Sequence, residues 1–487
     1  MSATGVSPDP AIRVTADAPD RSTVIEAIED AVDVSVRRVG PAGTPSLLCL
    51  YTMGDRTAIH ADPTPEIAAG AAETLEAGDL PTVDADAVVE HDETTEALPA
   101  PDSGPLSVGT RRILGPCGWI DPAYRPEPTA ADLDPEAILD SAATVGLRGR
   151  GRADVATDEA VAEIWNRTIE ADGDPVVVVH AADTDCRIDE LLCRSVPGYV
   201  LGGARIAADA VGAEDVIALS TDRAVEPLRE VAEGELIHPA PESFRVGEPT
   251  MALEALEGND RIEARRRPPG PETWGLYGRP TVLHTPRTLL QLRALAGDGE
   301  GFDPESADPG TRLVSVRGAV SAPAVVELRT DTALSAALSA VETGGDRYVV
   351  GGRFGGVTES LDVPTSGPAL SGAGLGTEGV VEILAPDDCV VATVGQRAAF
   401  AREENCGRCV PCREGSKQLH EALRAVYDGD VDPGALRDLA RTMRTSSLCA
   451  FGEAAARPIR TAIESFEPEF RAHAEGRCPA GVCGGLR

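Results

Sequence analysis

ENCGRCVPCREG, residues 404–415, carries Cys406, Cys409 and Cys412 at two-residue gaps, and a further cysteine, Cys449, follows downstream. Two intervening residues let a backbone fold around one corner of an iron–sulfur cubane, and a remote fourth thiolate closes the site. Zinc more often takes paired C-x-x-C knuckles. The spacing therefore favours a [4Fe-4S] cluster over structural zinc, and over free or disulfide-bonded thiols. Gly407 and Gly415 permit close backbone approach. In SSLCAFGEAAARPI (446–459), Cys449 stands just before an expected helix, with Ser446 or Ser447 as cap candidates. The N–H groups and positive dipole end of that helix would face the cluster and favour its reduced form.

Glu404-Asn405-Cys406-Gly407-Arg408-Cys409-Val410-Pro411-Cys412-Arg413-Glu414-Gly415, followed by Cys449-Ala450-Phe451-Gly452, resembles the C-terminal cluster region of the NADH-oxidising flavoprotein subunit of respiratory complex I. The same module occurs in bidirectional hydrogenases and NAD-linked formate dehydrogenases. The tail RCPAGVCGGLR (477–487) is similar to the hydrogenase-type members. The resemblance runs from about 108 to 483. It implies that Cys406, Cys409, Cys412 and Cys449 ligate the cluster.

Further motifs follow in the family's order. GLRGRGRADVATD (146–158) is similar to its glycine-rich flavin loop and keeps Gly149 and Gly151, whose bare backbone would approach phosphate. Arg152, Asp154, Val155 and Asp158 replace glycine, glycine, phenylalanine and glycine. PVVVVHAADTD (175–185) is a continuous apolar run, as in a buried parallel strand, ending at Asp183 where ligands of doubly wound sheets gather. RVGEPTMALEALEG (245–258) keeps Gly247, Glu248 and Thr250, with Pro249 in place of a glutamate. Two asparagines that hold flavin in the family become His284 and Thr285. The resemblance implies that Gly149, Gly151, Asp183, Gly247 and Glu248 line a flavin.

The chain has 487 residues and a net charge of −36, with Lys417 its only lysine. Such an acidic balance argues against nucleic acid and anionic membranes, and suits a salt-rich cytoplasm where repulsion is screened. No apolar run reaches eighteen residues and the first residues resemble no signal peptide, so no direct membrane insertion is expected. The expected location is the cytoplasm, or the periphery of a membrane complex. Eleven cysteines in such a chain point to a reducing compartment and metal or redox use.

The expected class is a multidomain α/β protein. Residues 1–90 form a degenerate thioredoxin-like α/β domain, with SLLCLYTM (46–53) a buried strand and TPEIAAGAAETLEAG (64–78) a capped helix. Cys49 is the only cysteine before Cys117, so the [2Fe-2S] cluster that relatives carry there cannot form from this segment alone. Residues 91–107 are a linker. Residues 108–298 form the Rossmann-like, FMN/NADH-binding-type domain, with Cys117, Cys186, Cys193, His180 and His284 in structural roles. Residues 310–390 form a ubiquitin-like SLBB domain with a helix at 331–342. Residues 396–475 form a helical [4Fe-4S] bundle, and 476–487 a tail whose Cys478 and Cys483 are close enough for a metal or a disulfide but lack obvious further ligands.

The resemblance implies an electron-transfer oxidoreductase subunit of the NADH dehydrogenase type, taking electrons from NADH through FMN to a [4Fe-4S] cluster. NAD(H) and FMN are the implied organic cofactors. A small [2Fe-2S] subunit and an acceptor subunit are the implied partners. The alternative is a non-catalytic [4Fe-4S] relay or scaffold that has lost flavin and NADH.

Overall fold

In the computed structural model of the protein, the described residues are 10–15, 21–126, 134–152, 159–430 and 432–483. They build three separate β-sheets and a C-terminal group of helices.

The first sheet holds β1 (Ala11–Val14), β2 (Val36–Arg38), β3 (Leu48–Met53), β4 (Arg56–Ala61) and β5 (Ala87–Glu90) in the order β2-β1-β3-β4-β5. Only the β1–β2 pair is parallel. Helices α1 (Arg21–Ala31) and α2 (Pro65–Glu76) pack on it. Thr64 caps α2 by accepting from the Ile67 N–H at 3.3 Å, and Pro65 opens the first turn, where a missing N–H costs nothing. The apolar stripe Ala68, Ala71, Ala72 and Leu75 is buried. Cys49 is a core thiol here, pushed up to about 12 by burial.

The second sheet is wholly parallel. It contains β6 (Val176–Ala181), β7 (Asp215–Ser220), β8 (Leu236–Pro239) and β9 (Thr281–His284), ordered β8-β7-β6-β9. All six residues of β6 are buried, which explains their unbroken apolar run. Around it stand α3 (Pro135–Val145), α4 (Val161–Glu170), α5 (Ile188–Ser195), α6 (Pro197–Val211), α7 (Asp222–Val231), α8 (Pro249–Leu256) and α9 (Pro286–Gly297). His180 and His284 are buried and bonded, to the Val246 carbonyl at 2.8 Å and to the Trp165 indole N–H at 3.0 Å. Cys117, Cys186 and Cys193 are buried.

The third sheet is mixed: β10 (Thr311–Gly318), β11 (Ala324–Arg329), β12 (Arg347–Val350), β13 (Gly356–Thr358) and β14 (Val380–Leu384), ordered β11-β10-β14-β12-β13. Its first and last strands, β10 and β14, run parallel at the centre. A six-residue helix, α10 (Gly367–Gly372), precedes β14. The helix expected at 331–342 is instead a 3₁₀ turn, Leu334–Ala340. Its first N–H groups are taken by neighbouring backbone, Leu334 by Val363 O and Ser335 by Leu361 O, and Ala333 offers no side-chain cap.

Side chains tie the units together. Arg13 is 2% exposed, lies 3.8 Å over the Trp119 ring and donates to the Trp119 carbonyl. Glu327 is fully buried on β11 and accepts from the N–H groups of Ile113 and Leu114 and from the Thr311 hydroxyl. The last unit comprises α11 (Val390–Glu404), α12 (Val410–Val426), α13 (Pro433–Ser446), α14 (Ala450–Ala454), α15 (Arg457–Ser465) and α16 (Glu467–Ala474). Among the described residues no helix is long and apolar enough to cross a membrane.

Candidate metal centre and cofactor cavity

The loop between α11 and α12 is built to present thiols. Asn405 closes the end of α11 by donating to the carbonyls of Ala401 and Arg402, and its side-chain oxygen accepts from the Gly407 N–H at 3.0 Å. Arg413 reaches back to the Gly407 carbonyl at 2.8 Å. Cys409 is the residue before α12, with Pro411 in the first turn and Cys412 following. Cys406, Cys409, Cys412 and Cys449 all line one small cavity, closed by Met251, Ala264, Leu448 and Phe451. The structure thus brings together all four expected metal ligands.

Cys449 directly precedes α14, as its N-cap residue. Ser446 and Ser447 are not its caps, because α13 runs through Ser446 and Ser447 closes that helix. A Cβ at Gly452 would lie 2.9 Å from the Cys412 Cβ and 2.4 Å from the Ser447 hydroxyl. Only glycine lets the Cys449 turn approach α12 so closely. Burial pushes Cys449 up to about 12, and the nearby Glu248 carboxylate acts in the same direction. Burial and the neighbouring thiols raise Cys412 too. Bare Cys412 and Cys449 would stay protonated, and a cationic iron core is what would hold them as thiolates. Cys412 and Cys449 are buried, whereas Cys406 and Cys409 are partly exposed, so a cluster in this place lies near the surface.

A larger cavity, of about 700 Å³, adjoins this one. Gly151, Asp183 and Glu248 line one part of it, and Cys449, Ala450 and Phe451 another. Gly149 and Gly247 are buried but do not line it. Asp183 accepts from the Asp185 N–H and from Arg152. Glu248 caps α8 through the Met251 N–H at 2.9 Å and pairs with Arg267 at 3.2 Å. Thr285, in one of the family's asparagine positions, caps α9 and donates to the Arg150 carbonyl, so it holds the glycine-rich loop by its backbone. Asp154, Val155 and Asp158 lie outside the described residues.

Two features were not foreseen. Six arginines line the large cavity in a strongly acidic chain: Arg152, Arg267, Arg353, Arg444, Arg457 and Arg460. The buried Nε atoms of Arg152, Arg267 and Arg353, with Glu378 Oε2 and Ser447 Oγ, have no hydrogen-bond partner among the described residues. Such orphaned groups are costly unless a polar ligand meets them. Second, four of the chain's seven phenylalanines, Phe244, Phe354, Phe400 and Phe451, meet edge to face with centroids 4.9–5.8 Å apart. Phe244 and Phe354 line the large cavity and Phe451 lines both, which places an apolar screen beside the thiols.

Residues 392–473 match the family model described as the NADH-ubiquinone oxidoreductase-F iron-sulfur binding region. The F subunit of NADH-quinone oxidoreductase from Mycobacterium tuberculosis is 30% identical over 400 residues, covering 73% of this chain and 89% of that one. NADP-reducing hydrogenase subunit HndC of Solidesulfovibrio fructosivorans is 26% identical over 447 residues, covering 78% and 86%. In fold, the chain is similar to a chain of an NAD+-reducing [NiFe]-hydrogenase crystallised in the air-oxidized state, at a TM-score of 0.64 and 24% identity, over 97% of this chain and 87% of that one. The thiol site falls inside the matched iron–sulfur region, and with that agreement the chain belongs to the family of F subunits of NADH-quinone oxidoreductase.

Proposed function

We propose that this oxidoreductase subunit passes electrons from NADH by way of FMN to a [4Fe-4S] cluster held by Cys406, Cys409, Cys412 and Cys449, and from there to a partner subunit. The observation that carries this is the shared cavity: Gly151, Asp183 and Glu248 border the same space as Cys449 and Phe451. Its volume and its arginines suit a phosphorylated dinucleotide beside a flavin phosphate. FMN supplies the conversion of a hydride pair into single electrons. The protein binds, orients and excludes water: Gly151 offers bare backbone, the cavity arginines other than Arg152 meet phosphate charge, and the phenylalanines keep solvent from the path. The partial exposure of Cys406 and Cys409 suits delivery to a docked acceptor, such as a small [2Fe-2S] subunit.

The domain reading accords with this role. The order β2-β1-β3-β4 with two helices supports the reading of residues 1–90 as a degenerate thioredoxin-like unit. The parallel four-stranded sheet supports the reading of 108–298 as a Rossmann-like, FMN/NADH-binding-type domain. The order β11-β10-β14-β12-β13, with its parallel central pair, supports the reading of residues 310–390 as a ubiquitin-like SLBB module. The acidic surface fits a salt-rich cytoplasm.

Anaerobically purified protein should release FMN on acid treatment and contain about four irons per chain. NADH should bleach both chromophores. Iron and sulfide without flavin, even after FMN is added, would establish instead a cluster-bearing relay. One observation favours that second reading. A Cβ at Gly247 would lie 1.7 Å from the Arg152 guanidinium, which stacks 3.7 Å from the Phe244 ring and donates to the Phe244 carbonyl. A flavin that needs this space must displace Arg152, at a cost of about 1–2 kcal/mol. Arg152→Gly should therefore tighten FMN binding about tenfold, measured by fluorescence quenching. Weaker binding in that variant would mean that Arg152 serves the ligand.

A further inference from the structure

The tail cysteines lie beside two ligands contributed by other segments. Cys389 stands immediately before α11, His473 is in the last turn of α16, and Cys478 and Cys483 flank the turn in which the Gly481 N–H bonds the Cys478 carbonyl. Their ligand atoms, three sulfurs and one imidazole nitrogen, all lie within 4.8 Å of one another. None of the four lines the cavity of Cys406, Cys409, Cys412 and Cys449.

We propose that Cys389, His473, Cys478 and Cys483 form a second metal centre, a closed tetrahedral zinc site. The donor set of three thiols and one imidazole is a structural zinc set, and the spacings His-x4-Cys and Cys-x4-Cys suit it. The histidine is already oriented. Its Nδ1 lies 2.7 Å from the Glu469 carbonyl, so that nitrogen carries the proton and Nε2, 3.2 Å from the Cys389 sulfur, keeps its lone pair for a metal. Outer contacts are in place too. The Ala392 N–H points at the Cys389 sulfur, and the Tyr427 hydroxyl lies 3.7 Å from that of Cys483. Cys389, His473 and Cys483 are buried and Cys478 is partly exposed.

Binding replaces up to three thiol protons by one divalent cation and needs no oxidant. Four protein ligands leave no open position, so the site is structural and not catalytic. It ties the 475–483 segment and α16 to the start of α11, the point where the chain leaves β14 for the cluster helices. The site thus closes the cluster unit on itself and on the third sheet, where Arg347 also pairs with Glu469 at 3.5 Å.

Elemental analysis of full-length protein purified without chelator, from zinc-supplemented cells, tests this. About one zinc per chain is expected beside the iron of the cluster. In Cys483→Ser, zinc should fall at least about tenfold while iron stays. Since that variant can fail to fold, the wild-type protein gives a second readout: a mercurial reagent should release its zinc with titration of thiols, and cobalt exchange should give the visible bands of a tetrahedral thiolate site. Wild-type protein without zinc, zinc retained in Cys483→Ser, or a Cys478–Cys483 disulfide in the alkylated protein would each overturn the assignment.

Discussion

Cys412→Ala is expected to strip the chain of its cluster. Cys412 is 5% exposed in the first turn of α12, and its Cβ faces Gly452 across the site. Three thiolates leave one iron of the cubane without a protein ligand, and among the described residues no other side chain lines that cavity as a replacement donor: its remaining walls are Met251, Ala264, Gly407, Arg408, Leu448 and Phe451. Met251 offers only a weak thioether, and Arg408 is a cation. Iron should fall from about four per chain to below about one, with sulfide falling in parallel. Transfer from NADH to a one-electron partner should drop on the order of 100-fold or more, since even outer-sphere changes at metal sites reach that range. Reduction of bound FMN by NADH should persist, because the flavin-side residues Gly151 and Asp183 belong to other elements. Cys49→Ala is the control: it removes a buried thiol in the first unit, remote from iron, and should leave the iron content unchanged. Full iron and an unchanged spectrum in Cys412→Ala would remove this cysteine from the ligand set.

What could be read from the chain divides along a physical line. The cluster loop, the capped helix α2 and the strand β6 are local: each is decided by spacing, a cap residue or an apolar run within a dozen residues. Features made by distant segments were not visible. Phe244, Phe354, Phe400 and Phe451 are spread over some two hundred residues, with nothing in their neighbours to announce a shared cluster. Cys478 and Cys483 lacked visible partners because Cys389 and His473 arrive from the start of α11 and the end of α16. The stretch 334–340 has helix-forming composition, but hydrogen bonds from its first N–H groups to 361–363 outcompete the α-helical ladder. Replacement of a family glycine by Arg152 was evident in the sequence. That its guanidinium lies between Asp183, Phe244 and Gly247 was not, because both the strand end and the 244–248 turn come from elsewhere.

Asp308→Asn is expected to be the most damaging change outside the metal sites. Asp308 is fully buried and pairs with Arg150 at 2.8 Å and Arg312 at 2.7 Å, both nearly buried themselves, while the Gly367 N–H donates to it at 2.7 Å. Burial pushes its carboxyl up, but the two guanidinium groups and that N–H more than offset this and hold it below the ordinary value. Removing the negative charge leaves two buried cations facing each other, and breaking such a pair costs about 3–5 kcal/mol. The damage should reach the cofactor cavity. Arg150 sits in the glycine-rich loop between Gly149 and Gly151, and its side chain also bonds the carbonyls of Pro309 and Thr311. The loop that approaches the flavin position is thus fastened to the third sheet through Asp308. Flavin affinity and unfolding midpoint should fall together in the variant. The contrast is Asp331→Asn, which removes one partner of the exposed pair Arg329–Asp331 and should cost less than about 1 kcal/mol. The pH dependence has a definite sign. Because the folded carboxyl is held low, its contribution is present above the ordinary carboxylate range and is lost as pH falls through the lowered folded value. Wild type should therefore lose stability on acidification, and Asp308→Asn should lose less over the same interval. Urea unfolding at neutral and acid pH measures both. Equal midpoints for wild type and variant at neutral pH would show that the loop is held without Asp308, by its bonds to Thr285, Thr288, Pro309 and Thr311.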